Sequence, residues 1–415
     1  MSSAAKKNIY PWVVVGLLSV VAFLNYLDRQ MLSTMQEAIG ADITELQASQ
    51  NFGRLMAIFL WIYAVVSPFA GSVADRLSRK WLIVGSLGVW STVTLLMGFC
   101  TSFSQMYVLR GLMGVSEALY IPSSLSLIAD YHEGKSRSLA IGLHMTGLYL
   151  GQAVGGFGAI FSDALSWRLV FQGFGLIGVA YAVVLMVFLK EKRQPAVIPS
   201  EDPSVIPSEA KESSHSLFQS FGLIFTNIAF WAILFFFAST SLPGWATKNW
   251  LPTLFKGSID NPMLAGPVAT ITIALASFIG VMVGGPLSDK WVKKNLKGRV
   301  YTSAIGLSLM IPALLLMGLG HGLAAAIASG LIFGLGYGMF DTNNMPILCQ
   351  FVPTRLRATA YGFMNMVGVA MGALVTQLLG KLPNLGVSFA VLGGVTLLAL
   401  AVQLLVLHPT TDDMK

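Results

Sequence analysis

Runs of about twenty apolar residues recur along nearly the whole chain, and each has the length an α-helix needs to cross the hydrocarbon core of a bilayer. They fall at roughly 11–34, 52–74, 81–101, 104–129, 137–162, 167–189, 222–254, 265–288, 301–318, 322–349, 357–380 and 385–407. Twelve such helices leave no room for a soluble domain in 415 residues. Only 11% of the residues are charged and 55% are hydrophobic, whereas a soluble chain carries about 25% charge. The expected fold class is an all-α membrane protein.

The formal charge of +7 does not indicate nucleic acid, because the basic residues follow a topology. Lys and Arg gather in alternate connections: Lys6 and Lys7; Arg76, Arg79 and Lys80; Lys135 and Arg137; Lys190, Lys192 and Arg193; Lys290, Lys293, Lys294, Lys297 and Arg299; Arg355 and Arg357. The intervening loops are short and mostly neutral or acidic, with Glu37, Asp42 and Glu45 in the first. The positive-inside rule then places both termini in the cytoplasm, as an even helix count requires. The run from Pro11 onward lacks a small-residue cleavage site and continues into Asp28 and Arg29, so it reads as a retained helix rather than a leader. Tightly trimmed loops fit a bacterial inner membrane. Cys100 and Cys349 both fall within predicted spans and have no metal-ligand spacing, so neither a disulfide framework nor a metal site is expected.

Residues 190–216 break the apolar pattern. Val197-Ile198-Pro199-Ser200-Glu201 repeats as Val205-Ile206-Pro207-Ser208-Glu209, and a stretch of this composition buries too little apolar surface to offset its ordering entropy. It reads as a cytoplasmic linker between a six-helix bundle at 1–189 and another at 217–415. The flanking segments resemble each other. Gly71-Ser72-Val73-Ala74-Asp75-Arg76 is matched by Gly285-Pro286-Leu287-Ser288-Asp289-Lys290 with the Gly-to-Asp distance kept, and Arg137 and Arg357 each precede a glycine by five residues, at Gly142 and Gly362. Internal duplication into parallel six-helix repeats produces this pattern.

Gly71 to Lys80 resembles the signature of the loop between helices two and three in the major facilitator superfamily, whose twelve-helix layout covers the full chain. Ser78 stands where a glycine is common, and Val292-Lys293-Lys294 follows Trp291 in the second copy. Within that superfamily, Asn25-Tyr26-Leu27-Asp28-Arg29, Arg110 with Glu117, and Trp250-Leu251-Pro252-Thr253 are similar to the anion:cation symporter family, whose members carry sugar acids and other organic anions. The first two clusters also resemble the Spinster family of lysolipid transporters. The resemblance implies that Arg29 anchors substrate, that Glu117 is a coupling proton site and that Asp28 is a second proton carrier. It also implies that the loop bearing Asp75, Arg76, Arg79 and Lys80, with Asp289 in the second copy, latches helices during the transition. Asp75 is equally suited to capping a neighbouring helix N-terminus. A monomer is the default for this fold.

The residues themselves point the same way. Ionisable groups at the centre of a bilayer cost a few kcal/mol each and persist mainly where they line a wet cavity. Asn25, Asp28 and Arg29 share one polar stripe of the first helix; Arg110, Gly114, Glu117 and Ile121 share a face of the fourth, with Gly114 leaving open space between the charges. At about 1.5 Å per residue, Asp28, Arg29 and Arg110 sit at similar depth if the two helices face a common cavity, as the family fold implies. A guanidinium offers a planar fork to a carboxylate, and a buried carboxyl beside it is poised to exchange a proton when a substrate anion competes for the cation. The alternative is a structural pair, Asp28 with Arg110 or Glu117 with Arg110, that only holds helices together. Such pairs are weak stabilisers.

In the second half Lys248 either adds positive charge to the cavity or snorkels to the interface. Asp341-Thr342-Asn343-Asn344 with Pro346 interrupts the tenth helix; Asn343 and Asn344 either bond substrate hydroxyls or serve gating and packing. His144 reads as a packing residue. Tyr26 and Tyr149 are candidate cavity aromatics, and Asn25 and Arg110 are, beside Arg29, candidate substrate-binding residues. Gly151, Gly155 and Gly156, like Gly334, Gly336 and Gly338, permit close helix packing.

The chain has no Gly-x-x-x-x-Gly-Lys-Ser/Thr loop for nucleotide and no nucleophile with a base at motif spacing, so neither ATP drive nor enzymatic activity is expected. A proton gradient is the expected energy source, without a cofactor, and a sugar acid or acidic amino sugar is the expected substrate. Lysolipid transport and nutrient sensing without transport are the alternatives.

Overall fold

Pro11 fixes its own φ and lacks an N–H, so it occupies the first turn of a helix without leaving a donor unpaired; α1 spans Tyr10–Thr34. The computed structural model describes residues 9–132, 135–191, 228–352 and 357–409. After α1 come α2 (Gln36–Asp42), α3 (Ser49–Arg76), α4 (Arg79–Met97), α5 (Phe103–Tyr131), α6 (Lys135–Gly155), α7 (Gly158–Ala164) and α8 (Trp167–Phe188). The second series is α9 (Ile228–Lys256), α10 (Ala265–Val292), α11 (Gly298–Leu319), α12 (Gly322–Asp341), α13 (Asn344–Phe351), α14 (Arg357–Leu379) and α15 (Leu385–Val406). No strand occurs among the described residues. Apart from Lys190 and Glu191, the expected linker lies outside them.

Eleven helical segments among the described residues are long and apolar enough to cross a membrane, against twelve expected. The difference is α6, which has 21 residues but carries Lys135, Arg137, His144, Thr146 and Gln152 among four glycines. The expected span at 137–162 also breaks at Gly156 and Phe157, before α7. Outward-facing apolar side chains remain bare, Leu405 at 76% and Val108 at 69% exposure, as lipid-facing positions require.

Helix pairing follows the internal repeat. In each series the first long helix packs along the fifth (α1 with α6, α9 with α14), the second along the fourth (α3 with α5, α10 with α12) and the third along the sixth (α4 with α8, α11 with α15). Glycines set the closest approaches. Gly147, Gly151 and Gly155, four residues apart, face Ser19, Phe23 and Leu27 of α1, also four apart, and a Cβ on Gly155 would stand 2.8 Å from the Leu27 carbonyl oxygen. Small residues at this spacing let two backbones approach closely. The two series meet where α3 packs on α14 and α6 on α10.

The connection between α3 and α4 is tied down within the first series. Ser78 caps α4 and donates to Glu191, whose carboxylate also accepts from the backbone N–H groups of Arg79 at 3.1 Å and Lys80 at 2.9 Å. An anion at a helix N-terminus satisfies donors that lack intrahelical partners. Arg79 pairs with Asp130 of α5, and the Lys80 ammonium donates to the Met186 carbonyl of α8 at 2.8 Å. The side chains of Asp75 and Arg76, and with them the expected capping by Asp75, lie outside the described residues. In the second copy Asp289 pairs with Arg299 at 3.5 Å, joining α10 to α11. Glu191→Ala is expected to cost about 1–2 kcal/mol, the scale of a lost N-terminal cap, and to lower the melting temperature in detergent by a few degrees. An unchanged melting curve would show that water replaces the carboxylate without loss.

Candidate functional site

Asn25 and Arg29 stand one turn apart on the face of α1 that meets α5. Both reach the same atom: Asn25 Nδ2 donates to Glu117 Oε2 at 2.8 Å, and Arg29 Nε donates to it at 2.6 Å. Glu117 is fully buried, and its other oxygen, Oε1, has no hydrogen-bond partner. The Arg29 guanidinium lies among three rings, 5.2 Å from Tyr26, 4.6 Å from Phe59 and 5.2 Å from Tyr63. Its Nη2 is buried and unpartnered.

Asp28 turns instead towards α4, where Thr94 Oγ1 donates to Oδ2 at 3.3 Å, and Oδ1 has no hydrogen-bond partner. Arg110 lies 4.7 Å from the Phe59 ring and donates from Nη1 to Met113 Sδ at 2.9 Å. The ion pair at this level is therefore Arg29 with Glu117, and neither pair with Arg110 considered from the sequence forms. The cause is the approach of α3. A Cβ on Gly114 would meet the Phe59 carbonyl oxygen at 2.6 Å, so this glycine admits the α3 backbone and leaves no open space. The Phe59 ring then lies against both guanidinium groups.

A cavity of about 250 Å³ adjoins this cluster. Its walls come mainly from α9, α12, α13 and α14, with Tyr26 the contribution from α1. A smaller recess sharing Tyr26, Lys248, Tyr337 and Asp341 extends it to Tyr149 and Gln152 of α6. Lys248 lines the cavity, its ammonium 5.0 Å from the Trp245 ring and 5.3 Å from Tyr337. Asn344 lines the wall and donates to Asp341 Oδ1 at 3.3 Å. Asn343 is buried and donates to the Met339 carbonyl at 2.8 Å, so it closes the end of α12 and does not line the cavity. Asn25, Asp28, Arg29, Arg110 and Glu117 are likewise absent from the wall, and Tyr26, which lines it, lies against the Arg29 guanidinium.

Sequence reasoning did not single out Asp341, Tyr337 or Tyr361 as binding residues. Asp341 carried a signal, an acid inside a membrane span; the tyrosines carried none in helices rich in aromatics. His144 is packed 6.0 Å from the Tyr120 ring and 3.5 Å from Ser124 Oγ, as a packing residue would be.

The family model of the Major Facilitator Superfamily matches residues 18–376. The chain belongs to this superfamily. Among its relatives, the hexuronate transporter of Bacillus subtilis (strain 168) is 28% identical over 296 residues, covering 70% of this chain and 67% of the relative. The hexuronate transporter of Escherichia coli (strain K12) is 27% identical over 314 residues, covering 72% and 71%. Protein spinster of Drosophila melanogaster is 27% identical over 376 residues, 87% of this chain and 60% of the relative. The fold is shared with a bacterial homologue of the human lysosomal transporter Spinster, solved in an inward-facing, occupied conformation, at a TM-score of 0.76 and 19% identity over 96% of this chain and 97% of that one.

In this major facilitator chain the two helix series are sealed together at one end, where α1 stops and α3 begins. Gln30 Nε2 donates to the Lys248 carbonyl at 3.0 Å, Lys256 pairs with Glu37 at 2.9 Å, and Thr270 Oγ1 donates to the Ala153 carbonyl at 3.2 Å. Gly156 and Gly266 meet backbone to backbone beside them. The cavity lies below this seal, with Tyr361 and Asn365 in its wall, and Asn365 Nδ2 makes a further contact between the two series by donating to Ser67 Oγ of α3 at 3.0 Å.

Proposed function

We propose that the chain is a secondary active transporter that carries an organic anion, a sugar acid or acidic amino sugar, in symport with protons by rocker-switch alternating access. The observation that carries this reading is the Arg29–Glu117 pair, set beside Tyr26 at the edge of a polar cavity. One carboxylate oxygen holds two donors and the other holds none. A pair this deep adds little stability, because desolvation offsets its attraction, and that favours a working role. Glu117 and Asp28 exchange protons. Lys248, Tyr26, Tyr149 and Asn344 contact substrate in the cavity, and Arg29 offers its free Nη2 to the substrate carboxylate once Tyr26 moves aside. Asn25, Arg110 and Asn343 hold these groups in place from behind. The hexuronate transporters among the relatives support the substrate class.

In this reading all twelve long helices cross a bacterial inner membrane, α6 included, as two six-helix halves at 1–189 and 217–415 joined by a linker at 190–216. Both termini are cytoplasmic, the sealed end faces outward and the cavity opens inward. Asp75, Arg76, Arg79, Lys80 and Asp289 serve in gating, latching helices during the transition. The protein works as a monomer, and the proton gradient serves in place of a cofactor.

The test is reconstitution in liposomes loaded with a pH-sensitive dye. Addition of glucuronate or galacturonate outside is expected to acidify the interior. Absence of acidification with every sugar acid tried would overturn the symport reading. A second reading, lysolipid transport, is favoured by the long match to the Drosophila protein. It would replace the first if lysophospholipids bound and sugar acids did not compete.

A further inference from the structure

The cavity wall holds a fixed acid as well as a fixed base. Lys248 of α9 and Asp341 of α12 both line it. They interact electrostatically but do not close into a contact ion pair, since the Lys248 ammonium rests over the Trp245 and Tyr337 rings. Asp341 stays exposed to the cavity, with Asn344 donating to one of its oxygens. The other polar side chains of the wall, Tyr26, Ser241, Tyr337, Tyr361 and Asn365 among them, present hydroxyl or amide groups.

A ligand with a carboxylate alone satisfies Lys248 and brings a second negative charge up to Asp341, in a membrane-embedded site where charges are poorly screened. A ligand with an ammonium group close to its carboxylate satisfies both side chains and leaves no charge buried without a partner. We propose that this cavity selects a small zwitterion, a sugar acid bearing a free amino group, with Lys248 taking the carboxylate and Asp341 the ammonium. This rests on the anion-transport reading and narrows its substrate class. In the conformation described, Lys248 is the cation at the wall, so recognition of the zwitterion precedes any movement of Tyr26 that would uncover Arg29.

The experiment measures binding to the purified full-length protein in nanodiscs. The probes are glucuronate, 2-amino-2-deoxyglucuronate and the N-acetylated form of the latter, which keeps the added bulk without the positive charge. The wild-type protein is expected to bind the amino compound at least tenfold more tightly than either of the others. Asp341→Asn should bring that ratio to within about twofold while glucuronate binding holds or improves; Lys248→Gln should weaken both. Glucuronate bound without preference for the amino form would overturn this inference and leave anion transport standing. Binding of none of the three would overturn both. A ratio preserved in Asp341→Asn, with the variant monodisperse and melting like the wild type, would also overturn it. The wild-type comparison needs no variant and so does not depend on any variant folding.

Discussion

Replacing Glu117 with glutamine is expected to reduce proton-driven uptake by on the order of a hundredfold, while exchange of substrate across the membrane at equal pH survives. Glutamine matches the carboxylate in shape. Its amide oxygen can still accept from Asn25 Nδ2 and Arg29 Nε, which now meet at Glu117 Oε2, and its amide nitrogen takes the place of the unpartnered Oε1. What disappears is the negative charge and the ability to take up a proton. A positioned group that gives and takes a proton contributes about 10²–10⁴-fold to the step it serves, and about a hundredfold is the lower end of that range. Dye-loaded liposomes report the driven flux and radiolabelled counterflow reports the exchange.

The two assays separate coupling from structure. If the pair only holds α1 to α5, removing one charge leaves Arg29 uncompensated, a loss of about 3–5 kcal/mol, and both activities fall together with the melting temperature. If Glu117 couples, driven uptake falls and counterflow and melting do not. Driven uptake equal to the wild type would sink the coupling role outright.

How far these positions were legible in the sequence depends on what each one needed. The spans were plain because about twenty apolar residues in a row have few uses other than crossing a bilayer. The weak span was α6, because a helix that packs its glycines against α1 and turns polar residues inward carries little apolar surface of its own. The break at Gly156 and Phe157 was hidden for a related reason. It is set by contact with α10 in the other series, which local composition does not encode.

The charges of the site were legible individually and their pairing was not. Asn25, Asp28, Arg29, Arg110 and Glu117 announce themselves by the cost of placing them in a membrane. Which partner each finds depends on helix rotation and on Phe59, an apolar residue with no sequence signal of its own. Its helix comes close enough at Gly114 to place an aromatic ring between Arg110 and the α1 side. Asp341 was visible by the same rule as Glu117. It was missed as a ligand group because the neighbouring amides and Pro346 read as a helix interruption, which they are, and drew the reasoning to the backbone.

Gly156→Leu is expected to hold the sealed end open and to abolish net uptake. A Cβ at this position would overlap Thr270 Oγ1 and stand 2.9 Å from the Gly266 carbonyl oxygen, so the closed arrangement has no room for a longer side chain. Overpacking of this kind costs about 1–3 kcal/mol. In a two-state equilibrium that cost shifts the populations by about 5- to 150-fold, towards the state in which α6 and α10 part. Thr253, whose hydroxyl lies 3.4 Å from Gln36 Oε1 in the seal, supplies the readout. Labelling of Thr253→Cys by an impermeant maleimide should rise at least tenfold when Gly156→Leu is added. Background from the native Cys100 is low, because that residue is buried and burial pushes its thiol pKa up, leaving little thiolate to react. Gly156→Ala, with a smaller overlap, should give an intermediate labelling rate and partial uptake. Unchanged labelling in both variants with uptake retained would mean that the Gly156–Gly266 contact is not part of the barrier, and that the seal is carried by the Lys256–Glu37 pair and its neighbours instead.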